Sequence, residues 1–526
     1  MMTNRRHLLQ ALAAAPLGAA SLATQARPGR AADFAAAVVG QPLLTPFKGV
    51  TDATGDCDTA RLATRGRWPA ELTGRFYRNG PALYERAGER YHHWFDGDGM
   101  VQRFTLAGGD VAHRGRLVRT AKLVAEQRAG RFLFDAFGTS MDRSAGPAVP
   151  ISGPDSVNPA NTNALEHAGR LLAMWEGGSA YALDPADLST QGPVVWRDDL
   201  RGVPFSAHPK IDAAGHLWNF GSSGRHLVIW HLDPQGKLVD VKLGESPYPG
   251  GMVHDMAITE RHLVLPLPPV KLRFDQPSDG PRKFSMDAGQ PLRILVIDKA
   301  DTSRRQVFEL PPQMVFHVGN AHETRDGQIV LSFIGAPDTW FLNDGAVAPM
   351  QGRRNVPGAV STQVVTLNLA TGRSTLVALD DRVEFPRVDP RRIGLPARWL
   401  LSAAAWDVAG RRTPHLHGQH LHGQHLQGQH LQGPHLHGLQ LRDIDSGRLR
   451  RFDYGDQVVV EEHILVPKPG RSGELDAWLL GTTFDARRQA TVLNLLDAAH
   501  LEDGPIAQAE LPYVLPLGFH GNFTAA

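Results

Sequence analysis

The feature that most constrains the fold is a phrase of two short apolar runs joined by a turn, repeated along the chain. The turn begins with Asp or Asn, as in Asp233-Pro234-Gln235-Gly236 and Asn368-Leu369-Ala370-Thr371-Gly372. Because Asp, Asn and Gly supply the chemistry of tight turns, the phrase predicts a strand, a turn and a second strand. Few stretches show sustained helical periodicity, and 54 glycines and 38 prolines suit a turn-rich chain. The sequence therefore predicts an all-β protein.

The spacing of the phrase narrows the architecture. It recurs at Asp184-Pro185, Asp298-Lys299-Ala300-Asp301 and Asp445-Ser446-Gly447, at intervals of about one propeller blade. Radial repetition of four-stranded sheets limits exposed sheet edges, which favours a β-propeller with several blades. A large array of β-sandwiches is the alternative that the pattern leaves open. No linker divides the chain after Pro42, so we expect one domain over residues 42–526.

Composition excludes several classes of function. The net charge of the 526-residue chain is +1, which argues against nucleic acid as a partner, because phosphate binding needs a concentrated basic surface. The single cysteine, Cys57, excludes an internal disulfide and a cysteine-based zinc or iron–sulfur site. A bound metal would therefore need histidine or carboxylate ligands.

The first thirty residues differ from the body of the chain. Arg5 and Arg6 precede an Ala/Leu run and then small residues that end near Ala26. This order is typical of an export signal, and paired arginines mark the bacterial route for folded proteins. We expect a twin-arginine signal over residues 1–30 and a periplasmic protein, or a cytoplasmic one if the signal is not used. A disordered alanine-rich tail is the alternative. The apolar run is too short to span a bilayer, and peripheral membrane contact stays open.

Residues 415–438 read HLHGQHLHGQHLQGQHLQGPHLHG, a histidine-rich pentapeptide repeat. Such a tract can bind metal. Its period of five matches neither a helix nor a strand, and the repeated glycine disfavours a rigid structure, so metal ligands there would not be preorganised. We predict an expanded surface loop between two strands of one blade. A metal-sequestering role is the alternative.

Four other histidines each end a short strand-like run. They are His208 in FSAHPKID, His254 in GGMVHDMAIT, His317 in MVFHVGNAHE and His520 in PLGFHGNF. A propeller brings the inner strands of distant blades together at its axis. Imidazole suits iron, zinc or copper, and four nitrogen ligands leave positions open on iron, whereas tetrahedral zinc would be closed. Each histidine taken alone is more often an ordinary hydrogen-bonded side chain than a ligand.

These four segments resemble the iron-ligand segments of the carotenoid cleavage oxygenases. Other landmarks of that family follow in order: ELTGRFYRNGPALYERAGERYHHWFDGDGMVQRF from Glu71 to Phe104, NPANTNALEHAGRLLAMWEGG, and VEFPRV from Val383. The resemblance extends from about residue 42 to the C-terminus, apart from the pentapeptide repeat. It implies a seven-bladed β-propeller with one Fe²⁺ on its central axis, held by His208, His254, His317 and His520.

The resemblance also implies carboxylates behind the ligands, at Glu176 in MWEGG, Glu384 in VEFP and Glu462 in VVVEEHILVP. A ligating imidazole donates its other N–H to an acceptor, which fixes its tautomer and ring direction. The third segment departs from the family pattern, because Glu461 is adjacent and His463 stands where the family usually has proline. Surface salt bridges are the alternative role for these glutamates.

Five further residues border the implied site. Thr162 matches a family threonine beside an unoccupied coordination position. Trp175, Met252, Phe316 and Phe385 flank the ligands or the glutamates, and we expect them to form an apolar substrate-binding wall. Core packing is the alternative for each of these four.

The implied activity is cleavage of a conjugated carbon–carbon double bond of a carotenoid or apocarotenoid, with both oxygen atoms of the two carbonyl products taken from O₂. Stilbene-cleaving members carry a tyrosine and a lysine that engage the phenolic hydroxyl. The tyrosine position is Leu117 here, and no lysine lies between Lys122 and Lys210. Each lost charge-assisted hydrogen bond is worth roughly 1.5–3 kcal/mol, which favours an apolar polyene over a stilbene.

Two functions from other classes are also consistent with the sequence. The first is a non-catalytic exported protein that binds metal through the pentapeptide repeat. The second is a propeller scaffold for protein partners, which needs no stoichiometric iron. Neither explains four spaced histidines with acidic partners.

Overall fold

The computed structural model describes residues 29–141, 149–248, 252–273, 283–354, 358, 360–406 and 435–526. Almost all of the predicted export signal and most of the pentapeptide repeat lie outside these residues. In the part of the chain that is described, no helix is long and apolar enough to cross a membrane.

Seven antiparallel sheets surround one axis as the blades of a β-propeller, which confirms the predicted fold class. Five of the pairs of neighbouring blades are in contact through their innermost strands. From inner to outer strand, blade 1 contains β35 (His520–Ala525), β4 (Gly74–Leu83), β7 (Asp98–Ala107), β8 (Asp110–Leu117) and β2 (Cys57–Thr59). Blade 2 contains β9 (Asn163–His167), β10 (Arg170–Met174), β11 (Tyr181–Leu183) and β12 (Thr190–Pro193).

Blades 3 to 5 repeat the four-stranded plan. Blade 3 contains β13 (Lys210–Ile211), β14 (Leu217–Ser223), β15 (His226–Leu232) and β16 (Leu238–Glu245). Blade 4 contains β17 (Ala257–Ile258), β18 (His262–Leu267), β21 (Leu292–Asp298) and β22 (Arg305–Leu310). Blade 5 contains β23 (Met314–Glu323), β24 (Gln328–Ala336), β25 (Ser361–Asn368) and β26 (Arg373–Ala378).

Blades 6 and 7 complete the ring. Blade 6 contains β27 (Val383–Arg387), β28 (Trp399–Ala404), β29 (Gly438–Asp443) and β30 (Leu449–Asp453). Blade 7 contains β31 (Val458–Pro467), β32 (Ala477–Asp485), β33 (Ala490–Asp497), β34 (Pro505–Glu510) and β3 (Ala63–Gly66).

Short elements join and cover the blades. Two small ribbons are formed by β1 (Gly29–Arg30), β5 (Glu85–Arg86) and β6 (Glu89–Arg90), and by β19 (Val270–Arg273) and β20 (Lys283–Met286). The α-helices are α1 (Ala31–Ala37) and α2 (Ala121–Ala129). Short 3₁₀ turns span Pro42–Lys48, Trp94–Asp96, Pro154–Ser156, Asp198–Leu200, Pro349–Gln351, Pro390–Arg392 and Ala498–Asp503, and a π turn spans Phe341–Gly345.

Both ends of the described chain close the ring. The C-terminal strand β35 pairs with β4, so that His520 lies opposite Asn79. Strand β3, from the N-terminal part of the described chain, pairs with β34 at the outer edge of blade 7. Residues ahead of position 42 also pack on the body, because Phe34 and Val38 share a hydrophobic cluster with Tyr84. The position of His520 therefore depends on strands from both ends of the described chain.

The repeated turn phrase forms the hairpin between the third and fourth strands of five consecutive blades, 2 to 6. In blade 3 the carboxylate of Asp233 accepts the N–H groups of Gln235 and Lys237, at 3.0 and 2.9 Å. In blade 5 the Asn368 side chain accepts those of Ala370 and Thr371. The sequence signal thus arose from side chains that cap the outer hairpins of these five blades. The pentapeptide repeat joins β28 to β29, neighbouring strands of blade 6.

The packing between blades gives a stability prediction. Trp230 of β15 is 1% exposed, and its indole N–H donates to the carbonyl of Pro204 at 2.9 Å. Trp230→Ala should lower the free energy of unfolding by about 3–5 kcal/mol, because a large buried ring leaves a cavity. Val239→Ala on β16, where the side chain is 53% exposed, should change it by less than about 0.5 kcal/mol. Chemical denaturation of both variants checks this, and similar losses in the two would contradict it.

Candidate metal centre

Four imidazoles meet on the axis of the propeller. His208 and His254 lie just before β13 and β17, His317 lies within β23, and His520 is the first residue of β35. The Nε2 atoms of His208 and His254 are 3.0 Å apart, those of His254 and His317 3.3 Å, and those of His317 and His520 3.1 Å. The ligand atoms of all four lie within 4.8 Å of one another. The structure therefore brings together the four histidines that the sequence singled out.

A carboxylate stands behind three of the four rings. Nδ1 of His254 lies 2.7 Å from Glu176 Oε1, and Nδ1 of His317 lies 2.5 Å from Glu384 Oε2. Nδ1 of His520 donates to Glu462 Oε1 at 2.9 Å. A proton held on Nδ1 leaves the lone pair of Nε2 free to bind a metal. The predicted glutamates thus occupy the positions from which they can set the tautomers.

The charge states of these groups suit a cation. Burial and the neighbouring histidines hold the pKa of His208 well below its ordinary value, so its ring is neutral. Burial alone would raise the pKa of Glu462, but Arg387 and His520 outweigh it and the net shift is downward. Four Nε2 atoms therefore meet at one point, with three carboxylates behind the rings, and the pKa of each of these carboxyl groups lies below its ordinary value. Because lone pairs so close repel, this donor set fits a divalent metal.

Irregular strands aim the functional side chains. The pairing register shifts between Val315 and Val318 in β23, between Glu384 and Arg387 in β27, and between Val460 and His463 in β31. A bulge breaks the alternation of side chains and redirects them locally. In β27 the backbone of Phe385 has φ of +57°, a left-handed conformation rare for an aromatic residue, and its N–H donates to Glu384 at 2.7 Å.

The bulge in β31 buries two adjacent glutamates with different partners. Glu462 accepts His520 through Oε1 and the backbone N–H of Gly521 through Oε2, at 2.8 Å. Glu461 accepts the Gly518 N–H at 2.7 Å and pairs with Arg78 at 2.9 Å. Glu462 is therefore the carboxylate behind His520, while Glu461 fastens the segment that leads to it.

Asp255 is an organising residue that the sequence analysis did not identify. Its Oδ1 accepts Lys210 Nζ at 2.8 Å and the Met256 N–H at 2.7 Å, while Oδ2 accepts the Val318 N–H at 2.8 Å. Lys210 follows His208 and Val318 follows His317, so one buried carboxylate joins the segments that carry three ligands. The available signal was the pair of charged residues, Lys210 and Asp255, inside otherwise apolar ligand segments.

A cavity of about 600 Å³ opens onto three of the four histidines, His254, His317 and His520. Trp175, Met252, Phe316 and Phe385 all line it, as does Thr162. The Phe316 ring centre lies 5.3 Å from that of His254, and Phe385 lies 5.4 Å from His317. Phe519, which precedes His520, also lines the cavity and was not predicted. Other aromatic residues of the wall were not predicted because they lie outside the ligand segments: Phe47, Trp94, Phe95, Phe137, Phe220, Trp340 and Phe341.

The position of Leu117 in the structure bears on the choice between a polyene and a stilbene substrate. Leu117 does not line the cavity and packs instead with Leu83, Met100 and Leu123. The residue at this position therefore gives no evidence for a polyene over a stilbene. Over the described ranges, however, the cavity lining contains neither tyrosine nor lysine. The described part of the wall thus offers no phenol or ammonium group to a phenolic substrate.

The ring of four imidazoles gives a first test. His254→Ala should lower bound metal well below one per chain, because it removes one donor and opens the ring. His216→Ala is the matched control, since His216 Nδ1 and His231 Nε2 are also in contact, at 2.9 Å, but lie in blade 3 outside the ring. Elemental analysis of protein purified without metal-affinity steps checks this. Equal metal content in the two variants would contradict the assignment.

Asp255 gives a second test. Asp255→Asn should lower metal affinity by about 10–100-fold, the range seen when groups that orient ligands are lost. Asp443→Asn is its control, because buried Asp443 also holds one cation, Arg398, and the backbone N–H groups of Asp445 and Ser446, far from the ligands in sequence. Competition with a chelator measures the affinity. A similar change in both variants would indicate that Asp255→Asn acts through a general loss of stability, which would contradict the prediction.

Comparison with known proteins agrees with the geometry. A family model described as retinal pigment epithelial membrane protein matches residues 51–525. The apocarotenoid-15,15′-oxygenase of Synechocystis sp. is 31% identical over 485 residues, 87% of this chain and 91% of that protein. The lignostilbene-alpha,beta-dioxygenase isozyme III of Sphingomonas paucimobilis is 28% identical over 489 residues, 89% of this chain and 94% of that protein. The solved structure of cobalt-substituted Synechocystis apocarotenoid oxygenase has a TM-score of 0.77 at 27% identity and covers 92% of this chain and 99% of its own. The chain belongs to the retinal pigment epithelial membrane protein family, the carotenoid cleavage oxygenases.

Proposed function

We propose that the protein is an Fe²⁺-dependent dioxygenase that cleaves a conjugated carbon–carbon double bond of an apocarotenoid or carotenoid with O₂, giving two carbonyl products. The observation that carries the proposal is a ring of four imidazoles that opens into an aromatic cavity. Iron held by these imidazoles would supply the activation of O₂. The protein's own groups hold the ligands, exclude water and orient the substrate.

The cavity walls supply binding and orientation. Burial of apolar surface contributes roughly 25 cal/mol per Å², so a long polyene gains affinity along the whole cavity. Phe316 and Phe385 stand beside His254 and His317, where they can hold a flat conjugated chain against the metal side of the cavity. Thr162 lines the same region, and its carbonyl accepts the His520 N–H at 3.3 Å. No side chain is needed as a general acid or base.

The choice of a polyene over a stilbene rests on two observations. The described cavity lining lacks tyrosine and lysine, and the apocarotenoid oxygenase is 31% identical to this chain. A stilbene-cleaving activity is the alternative, because the lignostilbene dioxygenase is 28% identical over a similar span. A non-catalytic metal-binding role for the pentapeptide repeat has less support, since it assigns no function to the four axial imidazoles. Export to the periplasm is part of the proposal and rests on Arg5 and Arg6.

The deciding experiment loads the protein with Fe²⁺ under anaerobic conditions and offers apocarotenals and hydroxylated stilbenes in separate assays with ¹⁸O₂. We expect cleavage of an apocarotenal, with one ¹⁸O atom in each carbonyl product before exchange with water. A variant with residues 415–434 replaced by a Gly-Ser linker should keep this activity, because it retains His435 on the cavity wall. Cleavage of stilbenes alone would overturn the substrate assignment. Activity that vanishes with the repeat but survives His254→Ala would overturn the whole proposal.

A further inference from the structure

The carboxylates around the ring differ in their cationic partners. Glu462 Oε1 accepts Arg387 Nε at 2.8 Å, and Asp255, beside His208, accepts Lys210 Nζ at 2.8 Å. Within the described ranges, neither Glu176 nor Glu384 has a lysine or arginine partner. Two of the four carboxylates near the ligands are therefore neutralised by a cation, and two are not.

The difference divides the ring into two halves. His254 and His317 are neighbours, with Nε2 atoms 3.3 Å apart, and each has a carboxylate without a cation. His208 and His520 are also neighbours, with ring centres 4.5 Å apart. Each of these lies beside an ion pair. The carboxylates behind His254 and His317 thus keep their full negative charge, whereas those beside His208 and His520 are each balanced by a cation.

Arg387 acts on His520 through a shared atom. Glu462 Oε1 receives both Arg387 Nε and the Nδ1–H of His520, and Arg387 Nη2 also donates to the Gly521 carbonyl at 3.1 Å. A carboxylate oxygen that is shared with a guanidinium is a weaker acceptor for the imidazole proton, so His520 becomes a weaker electron donor. Lys210 has no such bond to a ligand, because His208 Nδ1 lies 3.8 Å from Asp255 Oδ1. Its effect is through charge alone.

We propose that Arg387 and Lys210 hold the bound iron in its divalent state. With Fe²⁺ in place, its two charges and these two cations balance the four carboxylates. Loss of an electron adds a positive charge beside two partly buried cations, which disfavours Fe³⁺. This inference rests on the proposed iron site and adds the residues that set its redox behaviour.

The test removes each cation while keeping the chain folded and iron-loaded. Arg387→Met and Lys210→Met remove a charge, whereas Arg387→Lys and Lys210→Arg keep it. Arg442→Met is the matched control, because Arg442 forms a buried ion pair with Asp381 at 3.0 Å on β29, away from the ring. Iron content is measured first, and the midpoint potential is then followed by the electron paramagnetic resonance signal of Fe³⁺.

Both charge-removing variants should have a lower midpoint potential, and their Fe²⁺ should oxidise in air about tenfold faster. The shift should be larger for Arg387→Met, which also frees Glu462 to polarise His520. The charge-keeping variants and Arg442→Met should resemble the unaltered protein. If one Met variant retains no iron, the other decides. Iron-loaded Met variants with an unchanged potential would overturn this inference alone, whereas an unaltered protein that binds no iron would overturn the proposed function with it.

Discussion

Four imidazole nitrogens that face one another across 3.0–3.3 Å are the arrangement on which the rest of the structure depends. Without a cation their lone pairs repel, and His208, His254, His520 and Glu462 are buried and have lost most of their hydration. The surrounding protein must therefore hold them in place. It does so with hydrogen bonds at Nδ1, with Asp255 across three ligand segments, and with Glu461 and Glu462 on either side of His520. Holding these groups together costs free energy locally, and the packing of the seven blades offsets that cost.

The propeller is suited to this task because it brings residues that are distant in sequence to one axis. Regular strands alone would not place them correctly, since side chains of a regular strand alternate between its two faces. The register shifts in β23, β27 and β31 redirect His317, Glu384 and Glu462. Closure of the ring by β35 and β4 then fixes His520, so the ligand set is complete only when the chain ends are paired.

Much of this could be predicted from the sequence. Turn phrases such as that at Asp233 indicated the outer hairpins, and the four ligand segments could be found because of their apolar contexts and their family resemblance. The expectation that each histidine ends a strand was wrong, because His208 and His254 precede strands, His317 lies within one and His520 begins one. The roles of Glu461 and Glu462 could not be separated, because a bulge breaks the alternation by which a strand is interpreted. Leu117 was a misleading guide to the substrate for a related reason. The place of a residue in a sequence motif does not show whether its side chain points into the cavity. Asp255 joins ligand segments of different blades, so no single segment of the sequence indicates this contact.

The described end of the pentapeptide repeat contains histidines that serve the fold rather than a cluster of metal ligands. Its last two histidines are described, and both serve the blade. His435 Nε2 donates to the Val458 carbonyl at 2.8 Å, and burial lowers its pKa to about 4. His437 Nδ1 donates to Asp453 at 2.9 Å, and its Nε2 accepts the Trp406 N–H at 3.4 Å. These rings are bound to backbone and carboxylate partners that leave no convergent set of nitrogens, whereas each axial histidine turns its Nε2 toward the other three. Among the described residues, the convergent donor set is therefore the one that the fold creates on the axis.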